Sequence, residues 1–293
     1  MSKKVLSRYK TLLLLFLFLI SGIAYALTEG RIEIRIWTNK EDYIVREPIL
    51  VYYEVKNKGS NLIILSFGLF GEYFEIKDKK GRSYGNMYLG EYALTDTLRS
   101  KESYKSRTNV SDRYRVTNAG EYTIFMQTPE EGILPVVRSN VIKVKIQEPT
   151  GNEKKALDIL VEADRLRWAR DSEGKKDLIK KELGFQKYQE LVDKYPNSIY
   201  APLALNSALG IYKFSPDFDE MQKIIPLCKR LIENYPNSIY FSSAFMSLID
   251  VYEVLKDRAG ATEAMNELIQ KHPNSKISQE AEKRLKKIEE WKF

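Results

Sequence analysis

The sequence predicts two domains, all-β and then all-α: a β-sandwich followed by an α-helical solenoid. Three observations predict this. Arg31-Ile32-Glu33-Ile34-Arg35-Ile36 alternates polar and apolar residues, and strand-length segments of that kind recur as far as Gln147. From Ala156 onward the apolar residues recur at helical spacing instead. Tyr195-Pro196-Asn197-Ser198-Ile199-Tyr200 then returns verbatim at 235–240, and as His272-Pro273-Asn274-Ser275-Lys276-Ile277, at spacings of 40 and 37 residues. A unit of that length cannot bury its apolar face alone, so it stacks on its neighbours.

The first element is a leader at 1–26. Lys3, Lys4, Arg8 and Lys10 precede a nearly continuous apolar stretch, and Ala24-Tyr25-Ala26 is a small-x-small cleavage site. This is the pattern of a secretory signal peptide cut after Ala26. The alternative is an uncleaved N-terminal membrane anchor, because the apolar stretch approaches the short limit of a span. With cleavage the expected location is periplasmic or secreted; without it the chain is N-terminally membrane-anchored. The leader also carries four of the 47 basic residues and no acidic one, so removing it lowers the formal charge from +7 to +3. Nucleic acid is therefore not an expected partner.

Residues 27–148 read as the sandwich. Residues 49–55 and 140–147 repeat the alternation, with Val141, Ile142, Val144 and Ile146 in the second. Asn57-Lys58-Gly59, Asp78-Lys79-Lys80-Gly81 and Asn118-Ala119-Gly120 supply turns. Pro149-Thr150-Gly151-Asn152 is the linker, with Asn152 as the expected cap of the first helix.

The helical repeats occupy 153–293. A polar break at 170–177 ends the first helix, and helices follow at 177–194, 199–214, 217–234, 239–256, 259–271 and 277–290. Each repeated hexapeptide falls at a junction, where proline stops one helix and Asn or Ser can cap the next. Pro226 should kink the 217–234 helix or delay its start. In the last helix Ala281, Leu285 and Ile288 should face the array, with Lys283, Lys286, Lys287, Glu289 and Glu290 solvated.

Chemistry-bearing residues are few. A single cysteine, Cys228, excludes an intramolecular disulfide, and it falls at the repeat position of Met265, on an inward face. Gly81-Arg82-Ser83-Tyr84-Gly85 fits the G-x-S-x-G pattern, but its surroundings read as strand, and the only histidine, His272, replaces a junction tyrosine. No catalytic residues, metal ligands or cofactors are expected. Arg99, Lys101, Lys105, Arg107, Arg113 and Arg115, with Tyr104 and Tyr114 among them and Tyr84, Tyr88 and Tyr92 upstream, read as the solvated face of a sheet. The alternative is peripheral contact with a membrane, an anionic polysaccharide or an acidic protein.

Two resemblances add to these readings. Asn118-x-Gly120-x-Tyr122 resembles the tyrosine corner of immunoglobulin-like domains, although Ile124 stands where antibody domains place a cysteine. The helical half resembles tetratricopeptide repeats of the bacterial-envelope variety, like those of the outer-membrane β-barrel assembly lipoprotein and of cell-division coordinators. Tyr252, Ala261 and Pro273 match that family's tyrosine, small residue and terminal proline, while Ile249 replaces its glycine and both junction spacings exceed its usual period. The resemblance implies about two complete repeats and a partial one, with a groove lined by the first helix of each. By repeat position the groove residues are Leu203, Asn206, Lys213, Ser243, Met246, Asp250 and Glu253, and they suit a protein partner or extended peptide. The expected function is a non-enzymatic adaptor or assembly factor outside the cytoplasm. The alternative is a recognition module in the β-domain, inhibiting a protease or binding glycan.

Overall fold

The computed structural model describes residues 32–67, 74–85, 94–128, 136–171, 173–175 and 177–289. The leader, Arg31, Tyr88, Tyr92 and Glu290 lie outside the described residues. The chain divides into two compact units, one ending at Glu148 and the next beginning at Pro149.

The first unit is β-rich, and its strands are β1 (Ile32–Trp37), β2 (Asp42–Ile44), β3 (Leu50–Asn57), β4 (Ile63–Phe67), β5 (Phe74–Asp78), β6 (Ser83–Tyr84), β7 (Leu94–Leu98), β8 (Ser103–Asn109), β9 (Gly120–Met126) and β10 (Ile142–Gln147). One helical turn, α1 (Val110–Arg113), links β8 to β9. The sheets are small: β1-β3-β8, β2-β10-β9-β5-β6 and the pair β4-β7. Strand β2 runs parallel to β10, and the other pairings are antiparallel.

Period-two alternation sends Ile32, Ile34, Ile36, Val51, Tyr53 and Val55 inward from the first sheet, and Ile76, Tyr122, Ile124, Val144 and Ile146 inward from the second. The two inner faces meet where the Tyr53 ring lies 6.0 Å from that of Phe74. Asn140 joins the sheets at one edge, because its amide accepts from the Ile36 N–H and donates to the Ile36 carbonyl, both at 2.9 Å. The Tyr122 hydroxyl donates to the Asn118 carbonyl at 2.9 Å, the bond expected of a tyrosine corner.

The second unit is helical. Its helices are α2 (Gly151–Arg167), α3 (Leu178–Lys194), α4 (Ala201–Tyr212), α5 (Phe218–Gln222), α6 (Ile224–Asn234), α7 (Phe241–Val254), α8 (Arg258–Lys271) and α9 (Lys276–Glu289). Contacts run serially, α2 on α3, α3 on α4, α4 on α6, α6 on α7, α7 on α8 and α8 on α9, as in a solenoid. Each helix buries one stripe, for example Ala244, Phe245, Leu248 and Ile249 on α7. The crossing of α2 and α3 is close: a Cβ on Gly184 would sit 2.9 Å from the Arg167 amide nitrogen.

Three expectations need correction. Helix α2 starts at Gly151, not after a cap at Asn152. Gly151 has φ +57, which glycine adopts without strain, so the turn into the helix is made there and Asn152 already lies inside it. The helix expected at 217–234 is not continuous but divided at Lys223; its main part has the delayed start expected from Pro226, which sits in the first turn of α6, where its missing N–H costs nothing. The array also begins earlier than the hexapeptides indicate. Helices α2 and α3 form a pair of their own, giving three helix pairs and then α9 among the described residues.

The junctions repeat in detail. Tyr195, Tyr235 and His272 end their helices at φ −132, −132 and −133, with ψ 58, 52 and 57. In the third copy the Ser275 hydroxyl accepts from the Ser278 N–H, which is a true N-cap. In the first two copies the serine instead accepts from the N–H two residues on, at Tyr200 and Tyr240, and the helix begins two residues later. Ser198 additionally donates to Glu153 on α2 at 2.7 Å and is buried. Ser198→Ala is therefore expected to cost about 1–2 kcal/mol, and Ser238→Ala about 0.5 kcal/mol. Urea unfolding midpoints of the two variants check this, and equal losses would contradict it.

Candidate partner-binding face

Helices α4, α7 and α9 are the first members of successive repeats, and their shared face carries the candidate site. Among the residues singled out from the sequence, Leu203 and Asn206 lie on α4, Lys213 just beyond its end, and Ser243, Met246, Asp250 and Glu253 on α7. Helical spacing sets Ser243, Met246, Asp250 and Glu253 on one stripe of α7. Ser243 is exposed, and Leu203, Asn206, Lys213, Met246, Asp250 and Glu253 are partly exposed.

The structure brings several of them together. The Ser243 hydroxyl reaches Asn206 Oδ1 at 3.4 Å, joining α4 to α7. Asp250 takes the Lys213 ammonium at 3.4 Å on one side and the Arg284 guanidinium of α9 at 2.7 Å on the other. Arg284 also reaches Glu253 at 3.3 Å and Glu280 at 3.7 Å. A line of alternating charge thus crosses three helices. Leu203 and Met246 take no part in that line and are apolar footholds beside it.

Burial shapes the electrostatics of this line. It raises the Glu253 carboxyl above its ordinary value, against the lowering effect of Arg284, and the Asp250 charge raises it further. Burial lowers Arg284, but the Asp250 hydrogen bond and the Asp250, Glu253 and Glu280 charges outweigh it, so its net shift is upward. Arg284 was not among the residues chosen from the sequence. Its only sequence signal was a cation on the inward side of the last amphipathic helix, between Ala281 and Ile288, both buried.

A second repeated signal also went unread. Asp177, Asp217 and Asp257 recur every 40 residues, and each caps the second helix of a pair by accepting from the N–H of Lys180, Asp219 or Gly260. Residues near these caps stay apolar yet exposed: Leu178 and Phe218 at one repeat position, Phe214 and Val254 at another. On the junction side, a cleft of about 840 Å³ opens between the first two hexapeptides, lined by Pro196, Asn197, Ile199, Tyr235 and Pro236.

The remaining chemical candidates have structural surroundings. Ser83 is exposed on β6, opposite Lys77 in a hairpin, where the Asp78 carboxylate accepts from the Lys80 and Arg82 N–H groups at 2.9 Å. Ser83 thus lies within a paired strand and not at a turn out of one. His272 packs its ring 4.7 Å from Phe241 in the junction conformation of the tyrosines it replaces. Cys228 is fully buried, and desolvation pushes its thiol up to about 12. Met265, its repeat equivalent, is equally buried.

In the basic stretch, Lys105 and Arg107 lie on the solvent side of β8. Tyr114 does not belong to that surface, because it is buried and its hydroxyl accepts from the Phe74 N–H at 3.0 Å.

The comparisons bear on the helical unit. Residues 243–275 match the tetratricopeptide repeat family. No curated protein matches the chain. Among solved structures, a β-glucosidase from Listeria innocua in complex with isofagomine is 14% identical with a TM-score of 0.26. That match covers 39% of this chain and only 16% of the β-glucosidase. A protein assigned as a lipoprotein, from Bacillus subtilis, is 10% identical with a TM-score of 0.23, over 75% of this chain and 84% of that one. Neither likeness is close enough to carry an argument. The repeat match takes in most of α7, all of α8 and the third junction as far as Ser275, and the helical unit therefore contains a tetratricopeptide repeat.

Proposed function

We propose that this chain is a non-enzymatic adaptor that works outside the cytoplasm and holds a protein partner or extended peptide on the α4–α7–α9 face. The observation that carries the reading is the charged line Lys213–Asp250–Arg284–Glu253, which passes through α7, the first helix of the tetratricopeptide repeat, and reaches Lys213 and α9 on either side of it. Such repeats generally bind proteins. Alternating charges flanked by Leu203 and Met246 suit a partner segment with both polar and apolar side chains. The leader pattern supports export, and the Tyr-Pro-Asn-Ser junctions support a bacterial-envelope setting.

For the β-rich unit we propose an immunoglobulin-like sandwich. Successive strands β1 and β2 join different sheets, β2 runs parallel to β10, and the Tyr122 corner precedes the body of β9. These features favour that topology over an unrelated pair of hairpins.

The test of the adaptor reading is a crosslinking pulldown of the mature chain from envelope extract. Replacing Asn206, Asp250 and Glu253 together by alanine should lower recovery of the crosslinked partner at least tenfold, with the far-UV circular dichroism unchanged. Undiminished recovery would remove the face from consideration.

A further inference from the structure

Register fixes the solvent side of the β1-β3-β8 sheet as three rows: Trp37, Tyr52 and Arg107; Arg35, Glu54 and Lys105; Glu33, Lys56 and Ser103. Charges in the last two rows largely satisfy one another. Glu33 takes Arg35 at 2.7 Å and Lys58 at 2.6 Å, and Glu54 takes Lys105 at 3.6 Å.

The first row is different. The Trp37 and Tyr52 rings stack with their planes 15° from parallel and their centroids 5.9 Å apart. Trp37 is 40% exposed. Asn39 donates to the Tyr52 hydroxyl at 3.2 Å, which holds the phenol in place. Arg107, directly across from Tyr52, is exposed and pairs with no carboxylate among the described residues.

We propose that this row is a binding site for an acidic polysaccharide. Two pyranose rings would lie along Trp37 and Tyr52, with a sugar carboxylate on Arg107. The chemistry follows from the row itself. The negative face of an aromatic ring attracts the weakly positive C–H face of a pyranose. The planar guanidinium matches a carboxylate through two parallel hydrogen bonds. Neighbouring strands are about 4.8 Å apart, so the row runs about 10 Å from Trp37 to Arg107, suited to a short stretch of an extended chain rather than a single sugar. Arg35 and Lys105, exposed in the next row, stand where sugar hydroxyls would reach them. A cross-strand aromatic pair also stabilises a sheet, but that role gives Arg107 nothing to do. The site is independent of the helical face and stands or falls separately from the adaptor reading.

Affinity electrophoresis of the mature full chain tests it, in native gels cast with polygalacturonate, alginate or hyaluronate. Neutral galactan supplies rings without carboxylates, and polyacrylate supplies carboxylates without rings. Retardation by at least one acidic polysaccharide should exceed that by either control at least tenfold. Trp37→Ala and Arg107→Gln should each reduce it at least fivefold, while Lys56→Gln should leave it unchanged. Arg107 is exposed and pairs with no carboxylate among the described residues, so its replacement keeps the fold and separates lost recognition from lost structure. The proposal is overturned by equal retardation in polyacrylate, by none in any acidic polysaccharide, or by full retention in the Arg107 variant.

Discussion

Phe245→Ala is expected to cost the helical unit about 3–5 kcal/mol, the range for removing a buried phenylalanine. Phe245 is fully buried on α7, with the Phe241 ring 5.0 Å away and His272 in turn edge-on to Phe241. Its repeat equivalent on α4, Leu205, is also buried, so the position is where successive repeats interlock. The cavity left by alanine cannot close without moving α7 against both α6 and α8. For a unit of this size the melting temperature should fall by roughly 10–20 °C. Phe214→Ala removes the same atoms from a ring that is 85% exposed, and should change stability by less than about 0.5 kcal/mol. Thermal melts of the two variants check the contrast. A Phe245 variant that melts with the native protein would mean the repeats are not coupled through this position.

The change of period near residue 150, the alternation in β1, β3 and β10, and the junction hexapeptides were legible because each is a local pattern with a local physical cause. So was the corner at Tyr122, whose hydroxyl bonds only four residues back. What escaped were features set by partners far along the chain. Nothing local announces that Asn140 bonds to Ile36, or that Arg284 reaches Asp250. The first helix pair was also undercounted, since it ends in a hexapeptide but does not begin with one. The 40-residue spacing of Asp177, Asp217 and Asp257 would have exposed it, because each marks the start of a second helix. Trp37, Tyr52 and Arg107 are scattered in sequence and become a row only through strand register.

The candidate face was read in the same uneven way. Repeat position alone placed Asp250 and Glu253 on one stripe of α7 without revealing that they share the Arg284 cation. That pairing alters what the face offers a partner. On the proposed reading, a partner would meet not isolated charges but an ordered line of paired ones, which favours specificity over raw affinity.

Arg284→Met should expose how that line is held together. Native Glu253 is already raised, by burial first and by the Asp250 charge as well, with Arg284 opposing both. Removing Arg284 removes the opposing cation, so the Glu253 carboxyl rises further. A carboxyl whose folded value lies above its unfolded one binds its proton more tightly in the folded state. The folded state is then favoured at low pH and loses stability as pH climbs from the unfolded value through the folded one. The variant should therefore differ little from the native protein near pH 4, where Glu253 keeps its proton. Near pH 7 it should be weaker by about 1–2 kcal/mol, more than an exposed pair and less than a fully buried one. Urea midpoints at the two pH values measure this, and Glu253→Gln in the same background should abolish most of the pH dependence. A loss that is equal at both values would mean that Arg284 acts through packing of its stem against α7 and not through its charge.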